Sequence, residues 1–326
     1  MVAGGAVTLV RYADTRIEVP QKRVVVTVER GKTLRQVAAE LHRRGIIAKP
    51  LLWRLLARLQ GKSGQIKAGD YAIETGMTPQ LILDHLVSGI SVQYSLTIPE
   101  GWTYHELMTA VEHDPNLKHT LNPDDLKGLL ARLGGPAQDN PEGWFYPDTY
   151  FFPRGTTDVE FLKRGYDMMK RRLDKEWAER SQGLPIKTPY QALILASIVE
   201  KETGAKEERP MIAAVFVNRL EKGMRLQSDP TVIYGMGSKY DGNIRVSDLE
   251  HDTPYNTYTR KGLPPTPIAL PSGDAIHAVL HPAHSNALYF VAMGGGRHYF
   301  SDTYAEHKKA VIKYLLGGNA SRYQGH

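Results

Sequence analysis

Apolar and polar positions alternate in short, well-punctuated blocks along this chain. Val24 to Val28 is a β-branched run that predicts a strand, and Gly31-Lys32-Thr33 turns it into a helix over Leu34 to Arg44, closed by Gly45. A second helix is expected over Pro50 to Leu59. Ile66 to Tyr71 reads as a turn into a short strand, and Thr78-Pro79 opens a helix through Val87. Ser95 to Pro99 predicts another strand and Tyr104 to Val111 another helix. From Asp114 to Asn140 the chain is polar with Gly134-Gly135-Pro136, the pattern of an exposed insertion or hinge.

Beyond that stretch the pattern becomes helical. Val159 to Arg180 has an amphipathic period, and Arg209 to Leu220 carries Met211, Ile212, Val215 and Phe216 at helical spacing before Gly223. Between them lies Thr188 to Gly204, TPYQALILASIVEKETG. Thr188 caps it, Pro189 suits its first turn, and Gln191 stands where a capping box has a glutamine. Ala192 to Val199 leaves almost no polar face, so this helix is expected to be packed on every side. Asp229-Pro230 reads as a further helix start, with Asp229 as cap. Ala287 to Ala292 and His298 to Phe300 read as two strands joined by Gly294-Gly295-Gly296. That glycine run is a hairpin turn, since a phosphate loop would need a following helix with a Lys-Ser or Lys-Thr pair.

Composition narrows the class. With 326 residues, 41% hydrophobic and 23% charged, the chain has material for two globular domains. It has no cysteine, which excludes disulfides and thiolate metal sites. The net charge of +6 is N-terminal: 14 Lys and Arg stand against 7 Asp and Glu up to Ile98, and the remainder is close to balance. Arg43, Arg44, Arg54 and Arg58 fit the wet faces of amphipathic helices, and no nucleic-acid motif accompanies them, so nucleic acid is not an expected partner. The opening MVAGGAVTLVRY is too short to span a bilayer and reads as the tail of a membrane anchor or a frayed start.

The candidate chemistry centres on acids. Glu200 follows directly on the apolar run, where the carbonyl end of the helix and partial desolvation would both raise its carboxyl pKa toward the range of a general acid. The bland alternative is the solvated end of a buried helix. Glu142 to Tyr150 is the densest aromatic segment, suited to stacking on sugar rings or to a packed corner. Gln227, Thr231 and Tyr234 are neutral hydrogen-bonding groups beside Asp229, and the proline-stiffened loop Tyr255-Asn256-Thr257-Tyr258 to Ile268 looks like the wall of a polar cleft. His277 and His281 have the i, i+4 spacing of metal ligands. Pro282 breaks the helix after them, though, and neither cysteine nor an HExxH pattern supports a metal, so neither metal nor cofactor is expected.

Two resemblances follow from longer phrases. VERGKTLRQVAAEL and IKAGDYAI resemble the turns of LysM-like modules, small βααβ units that hold N-acetylated glycans. EGWFYPDTY (Glu142 to Tyr150), ASIVEKET (Ala196 to Thr203), NRLEKGMRLQSDPTVIYGMG (Asn218 to Gly237), YNTYTRKGLPPTPI (Tyr255 to Ile268) and HPAHSNALYFVA (His281 to Ala292) are together similar to the YceG-like family of endolytic murein transglycosylases. That resemblance implies an α+β fold: residues 1–22 as the remnant of an anchor or linker, a LysM-like module over 23–98, and a catalytic domain over 99–326 with a buried catalytic helix. It implies internal cleavage of peptidoglycan glycan strands by the first glutamate of ASIVEKET, Glu200, and 1,6-anhydro ends. Nascent glycan would be the substrate and strand length the property controlled. Glu142, Tyr146, Gln227, Asp229, Thr231, Tyr234, Tyr255, Asn256 and Tyr258 are the expected substrate-binding residues. It also implies an inner-membrane protein facing the periplasm, with peptidoglycan synthases as partners. Two other readings stay open: a hydrolytic muramidase using Asp229 or Glu142 as second carboxylate, and a non-catalytic glycan-binding scaffold.

Overall fold

The computed structural model describes residues 2–19, 21–121, 128–136 and 140–323. In chain order the elements are α1 (Val2–Ala13), β1 (Arg23–Val28), α2 (Leu34–Arg43), α3 (Pro50–Leu59), β2 (Gly69–Glu74), α4 (Pro79–Ser88), β3 (Gln93–Thr97), α5 (Tyr104–His113), α6 (Leu129–Arg132), β4 (Thr149–Pro153), α7 (Asp158–Glu179), α8 (Pro189–Glu202), α9 (Arg209–Glu221), α10 (Asp229–Met236), α11 (Val246–Glu250), α12 (Gly273–Leu280), β5 (Tyr289–Gly294), β6 (Arg297–Ser301) and α13 (Tyr304–Tyr314). The fold is α+β, with small two-stranded sheets β1-β2, β3-β4 and β5-β6 among the described residues. The chain divides into two compact units. The first holds Met1–Leu96, Asp114–His119 and Phe151–Thr157; the second holds Thr97–His113, Thr120–Tyr150 and Asp158–His326.

In the first unit β1 and β2 pair antiparallel from Arg23↔Glu74 to Val28↔Gly69. Alternation along β1 sends Val26 and Val28 inward, onto a core that includes Val37, Leu41, Trp53, Leu56, Tyr71, Ile82 and Leu86. Trp53 is fully buried and donates its indole N–H to the Pro79 carbonyl at 3.1 Å, which satisfies its one polar atom. Thr33 and Gln36 cap α2 reciprocally. The opening residues form α1, whose Leu9 and Ala13 are buried against this core. No helix among the described residues is long and apolar enough to cross a membrane. The segment Phe151–Thr157 is tied in by Arg154, whose guanidinium pairs with buried Asp70 at 2.6 Å.

The second unit is built around α8. Ala192 to Val199 is buried without interruption, and α8 is packed by α7, α9, α10 and α12. Ser197, the polar residue in that run, donates Oγ–H to the Ile194 carbonyl at 2.7 Å and accepts from Ile268 N at 2.9 Å. Its hydroxyl is thus used twice inside the core. Thr188 caps α8 through Gln191 N, while the Gln191 side chain accepts from Lys187 N rather than closing the box expected on Thr188. α10 also starts differently from expectation: Ser228 is the cap position and Asp229 the first helical residue. Part of the expected insertion at 114–140, residues 122–127 and 137–139, lies outside the described residues. Its described part includes α6, with Leu129, Leu130 and Leu133 buried. β5 and β6 form the expected antiparallel hairpin, with Gly294, Gly295 and Gly296 all at positive φ.

Candidate active site

The last turn of α8 carries two glutamates, and they face different surroundings. At about 100° per residue, side chains two apart leave a helix on nearly opposite sides. Glu200 points toward α9 and α12. Its Oε1 accepts from Arg209 Nη2 at 2.7 Å, and its Oε2 accepts from Ser272 N at 2.8 Å and Ser272 Oγ at 2.5 Å. The Glu200 side chain is 4% exposed and that of Arg209 3%. Arg209 also donates Nη1 to Ser272 Oγ at 3.0 Å, and Ser272 Oγ in turn accepts from Ala275 N to cap α12. Glu200 therefore joins α8, α9 and α12 through a buried, hydrogen-bonded ion pair. Both of its oxygens are taken.

Glu202 is the last residue of α8, and it lines a pocket of about 480 Å³ together with Arg219, Gln227, Asp229, Tyr258 and Tyr289. Burial is the main force on its carboxyl, pushing the pKa up to about 7. The charge of Asp229 adds to the rise, while Ser228 and Arg219 oppose it. Ser228 Oγ donates to Glu202 Oε1 at 2.5 Å. Tyr258 donates its hydroxyl to Asp229 Oδ1 at 2.6 Å. Arg219 is held by the carbonyls of Leu288, at 2.6 Å, and Leu226, at 2.7 Å, with its guanidinium 5.2 Å from the Tyr289 ring centre. The pocket thus combines a carboxyl poised near neutrality, a second carboxylate, a buried cation and aromatic rings.

The loop before α10 sets this geometry. Gln227 is the non-glycine residue at positive φ, 51°, among the described residues, and its N–H is bound to the Thr257 carbonyl at 3.1 Å. Ser228 N bonds Thr257 Oγ1 at 3.0 Å, and Thr231 Oγ1 meets the same hydroxyl at 2.9 Å. Fully buried Thr231 is therefore a support behind Ser228. Asn256 has the same kind of role: its amide donates to the carbonyls of Leu249 at 2.9 Å and His251 at 2.8 Å, and its Oδ1 accepts from Tyr258 N at 2.8 Å.

The other expected residues lie elsewhere in the unit. Glu142 is 3% exposed, accepts from Tyr104 N at 2.8 Å and from the Tyr234 hydroxyl at 3.0 Å, and is pushed by burial up to about 7. The Tyr234 ring meets the Tyr255 ring edge to face at 4.8 Å, and Tyr255 bonds Thr266. Beside them Gly143, at φ +83°, packs so tightly on Pro267 that a Cβ would come within 2.6 Å of it. Tyr146 sits over the first residue of α12, where a Cβ on Gly273 would stand 2.6 Å from its hydroxyl. Of the expected substrate-binding residues, Gln227, Asp229 and Tyr258 come together at the pocket. Glu142, Tyr146, Tyr234 and Tyr255 do not line it. Sequence reasoning missed Glu202, Ser228, Arg219 and Tyr289. The end-of-helix argument applied to Glu202 as well as to Glu200, but a helix apolar all round gives no phase by which to choose between them.

The family model for the YceG-like family matches residues 26–313. An endolytic murein transglycosylase of Bacillus subtilis (strain 168) is 30% identical over 337 residues, covering 98% of this chain and 92% of that protein. One from Streptococcus pneumoniae serotype 2 is 28% identical over 90% of this chain, which spans 59% of its length. Among solved structures, a putative YceG-like protein of Listeria monocytogenes matches with a TM-score of 0.54 and 28% identity, over 88% of this chain and 98% of that one.

Proposed function

Because the chain belongs to the YceG-like family, and relatives that align along most of it are named endolytic murein transglycosylases, we propose that it cleaves peptidoglycan glycan strands internally by transglycosylation, with Glu202 as the proton carrier. The observation that carries the assignment is the Glu202 carboxyl: it lines the pocket and is held near pH 7 by burial and by Asp229. Glu200, the residue expected from sequence, is engaged on both oxygens by Arg209 and Ser272.

The chemistry balances with one carboxyl. Protonated Glu202 gives its proton to the glycosidic oxygen between N-acetylmuramic acid and N-acetylglucosamine, and the C1–O bond breaks with its electrons going to that oxygen. Developing positive charge at C1 is met by the muramic 6-hydroxyl oxygen, which closes on C1. The 6-hydroxyl proton goes to the Glu202 carboxylate, restoring the acid and leaving a 1,6-anhydro end. A pKa near 7 suits a group that must both give and take a proton. Asp229, oriented by Tyr258, opposes the positive charge at C1, and the rings of Tyr258 and Tyr289 offer faces to the sugars. Murein as substrate puts the catalytic unit outside the cytoplasmic membrane. Attachment through an N-terminal membrane helix, contact with peptidoglycan synthases, and control of strand length on nascent glycan are further parts of the same reading, as is glycan holding by the βααβ module.

The test is digestion of uncrosslinked glycan with mass spectrometry of the ends formed. Wild type is expected to yield anhydro ends and Glu202→Gln none, with a cooperative melting transition no lower than that of wild type, since the amide removes a carboxyl that burial destabilises when ionised. Reducing ends from the wild type would instead select a hydrolytic muramidase with Asp229 as second carboxylate. Glycan capture without turnover would select the scaffold. A folded Glu200→Gln protein that is inactive beside an active Glu202→Gln would return the proton to Glu200.

A further inference from the structure

Outside the pocket, α7 and α12 bring together three side chains that the proposed reaction does not use. Glu176 lies in the last turn of α7 with a side chain 5% exposed, and a buried carboxylate requires partners. Its Oε2 stands 2.7 Å from His277 Nδ1 and 3.8 Å from His281 Nε2. The ligand atoms of all three lie within 4.8 Å of one another. The two imidazoles are stacked, with centroids 4.4 Å apart and planes at 27°. Pro282 does end the helix, but it does not separate them. His281 N still bonds the His277 carbonyl at 2.8 Å, so His281 closes the last turn and keeps its ring on the face of His277.

We propose that Glu176, His277 and His281 form a binding site for a borderline divalent transition metal, with Zn²⁺ as the first choice. Two imidazoles and one carboxylate are a recurrent three-ligand set for zinc, which leaves a fourth position for water. In a tetrahedral site with bonds of about 2.0–2.1 Å, neighbouring ligand atoms are about 3.3 Å apart, and the observed separations from Glu176 Oε2 fall on either side of that. The other oxygen of Glu176 is occupied by Arg172 Nη2 at 3.1 Å, which fixes the carboxylate and leaves Oε2 for the metal. Mg²⁺ does not fit the donor set, because it prefers oxygen ligands in a near-octahedral shell. A bound ion would clip the end of α7 to the end of α12, the helix whose cap Ser272 holds Glu200. This inference does not depend on the proposed reaction.

The test uses the full chain after EDTA treatment and dialysis, titrated calorimetrically with ZnCl₂ and, separately, with MgCl₂. One saturable Zn²⁺ site per chain is expected, with no Mg²⁺ signal and a rise of several degrees in melting temperature with excess Zn²⁺. His277→Gln and His281→Gln are expected to lose the saturable heat and the shift. His277 is more than half exposed, and a glutamine amide in its place can still donate to Glu176 Oε2, so its replacement should change melting in EDTA little. Visible absorption of the Co²⁺-substituted wild type gives a second readout that needs no variant, because nitrogen and oxygen ligation in a four-coordinate site colours the protein. The proposal is overturned if wild type shows no saturable Zn²⁺ binding and no Co²⁺ colour, or if both variants bind as tightly as wild type.

Discussion

Glu200 and Glu202 sit two residues apart on one helix, yet the second unit treats them in opposite ways. Glu200 is surrounded by donors from Arg209 and Ser272 and joins three helices. Glu202 accepts from Ser228 but shares its pocket with Asp229, and burial pushes it to about 7. A carboxylate that is well solvated by fixed donors stabilises structure; one that is desolvated beside another negative charge is prepared to move a proton. Helix phase creates the difference, since α8 exposes one side of its last turn to α9 and α12 and the other to the α10 loop.

The largest effect that bears on this contrast is on rate. Glu202→Gln should lower kcat/KM on glycan by about 10²–10⁴-fold, the usual contribution of a positioned general acid and base. The fold should survive, because an amide can still accept from Ser228. A single-turnover assay on defined glycan beside a melting curve measures both. Equal activity in wild type and variant would remove Glu202 from the mechanism.

The mirror-image change should act on stability. Glu200→Gln takes from the Arg209 guanidinium its buried partner and leaves it the more exposed Glu100, at 3.4 Å, and Asp274, at 3.8 Å, so the cost should fall at the low end of that for breaking a buried pair, about 3 kcal/mol. Chemical denaturation checks the figure. Replacing both partners, as in Glu200→Gln with Arg209→Met, should recover part of the loss, because no uncompensated charge remains. A Glu200→Gln protein as stable as wild type would show that the clamp is not what holds α8, α9 and α12 together.

Titration sharpens the comparison further. Glu142 and Glu202 both have folded-state pKa values of about 7, above the ordinary 4.5. Between those values the native state binds more protons than the unfolded chain, so each group lowers stability as pH rises from about 4.5 to about 7, and the loss then levels off. Glu142→Gln should abolish its share, of order 2–3 kcal/mol, making the variant gain on wild type between pH 5 and pH 8. Activity should fall on the alkaline side of about pH 7 as Glu202 loses its proton. Asp229→Asn removes a charge that raises Glu202, so that limb of the profile should move to lower pH. An alkaline limb that stays in place would mean that Asp229 does not reach Glu202 electrostatically.

Much of this arrangement was legible in the residues, and the part that was not has a physical cause. The buried α8, the long α7 and the glycine-linked hairpin follow from periodicity and turn chemistry, which are local. Asp229, Gln227 and Tyr258 could be named because their phrases are dense in hydrogen-bonding groups. What could not be read is which acid faces the pocket. An all-apolar helix carries no moment to fix its rotation, and the partners that decide, Arg209, Ser272 and Ser228, come from three different elements. Aromatic density left two readings open for a related reason, a sugar-stacking face or a packed corner: Trp144 and Phe145 are buried and Tyr146 lies over α12, the arrangement of a packed corner. The histidine pair looked broken by Pro282, and Glu176 is 101 residues away from His277. Long-range pairings of that kind leave no periodic trace.

The smallest effect concerns the backbone of the loop that leads into α10 beside Glu202. Gln227 holds φ at 51° on the pocket rim, a conformation that costs a side-chain-bearing residue about 1 kcal/mol or more and costs glycine nothing. Gln227→Gly should therefore leave stability unchanged or raise it by under about 1 kcal/mol, the relief of strain being offset in part by the greater freedom of the unfolded chain. Its activity should fall nonetheless, because Gln227 lines the pocket and its Oε1 stands 3.4 Å from Arg219 Nη1. A loss of stability instead would show that the Gln227 side chain is a support like Thr231 and Asn256. A gain in stability with undiminished turnover would place it outside the reacting part of the pocket, leaving Asp229 and Tyr258 as the polar groups opposite Glu202.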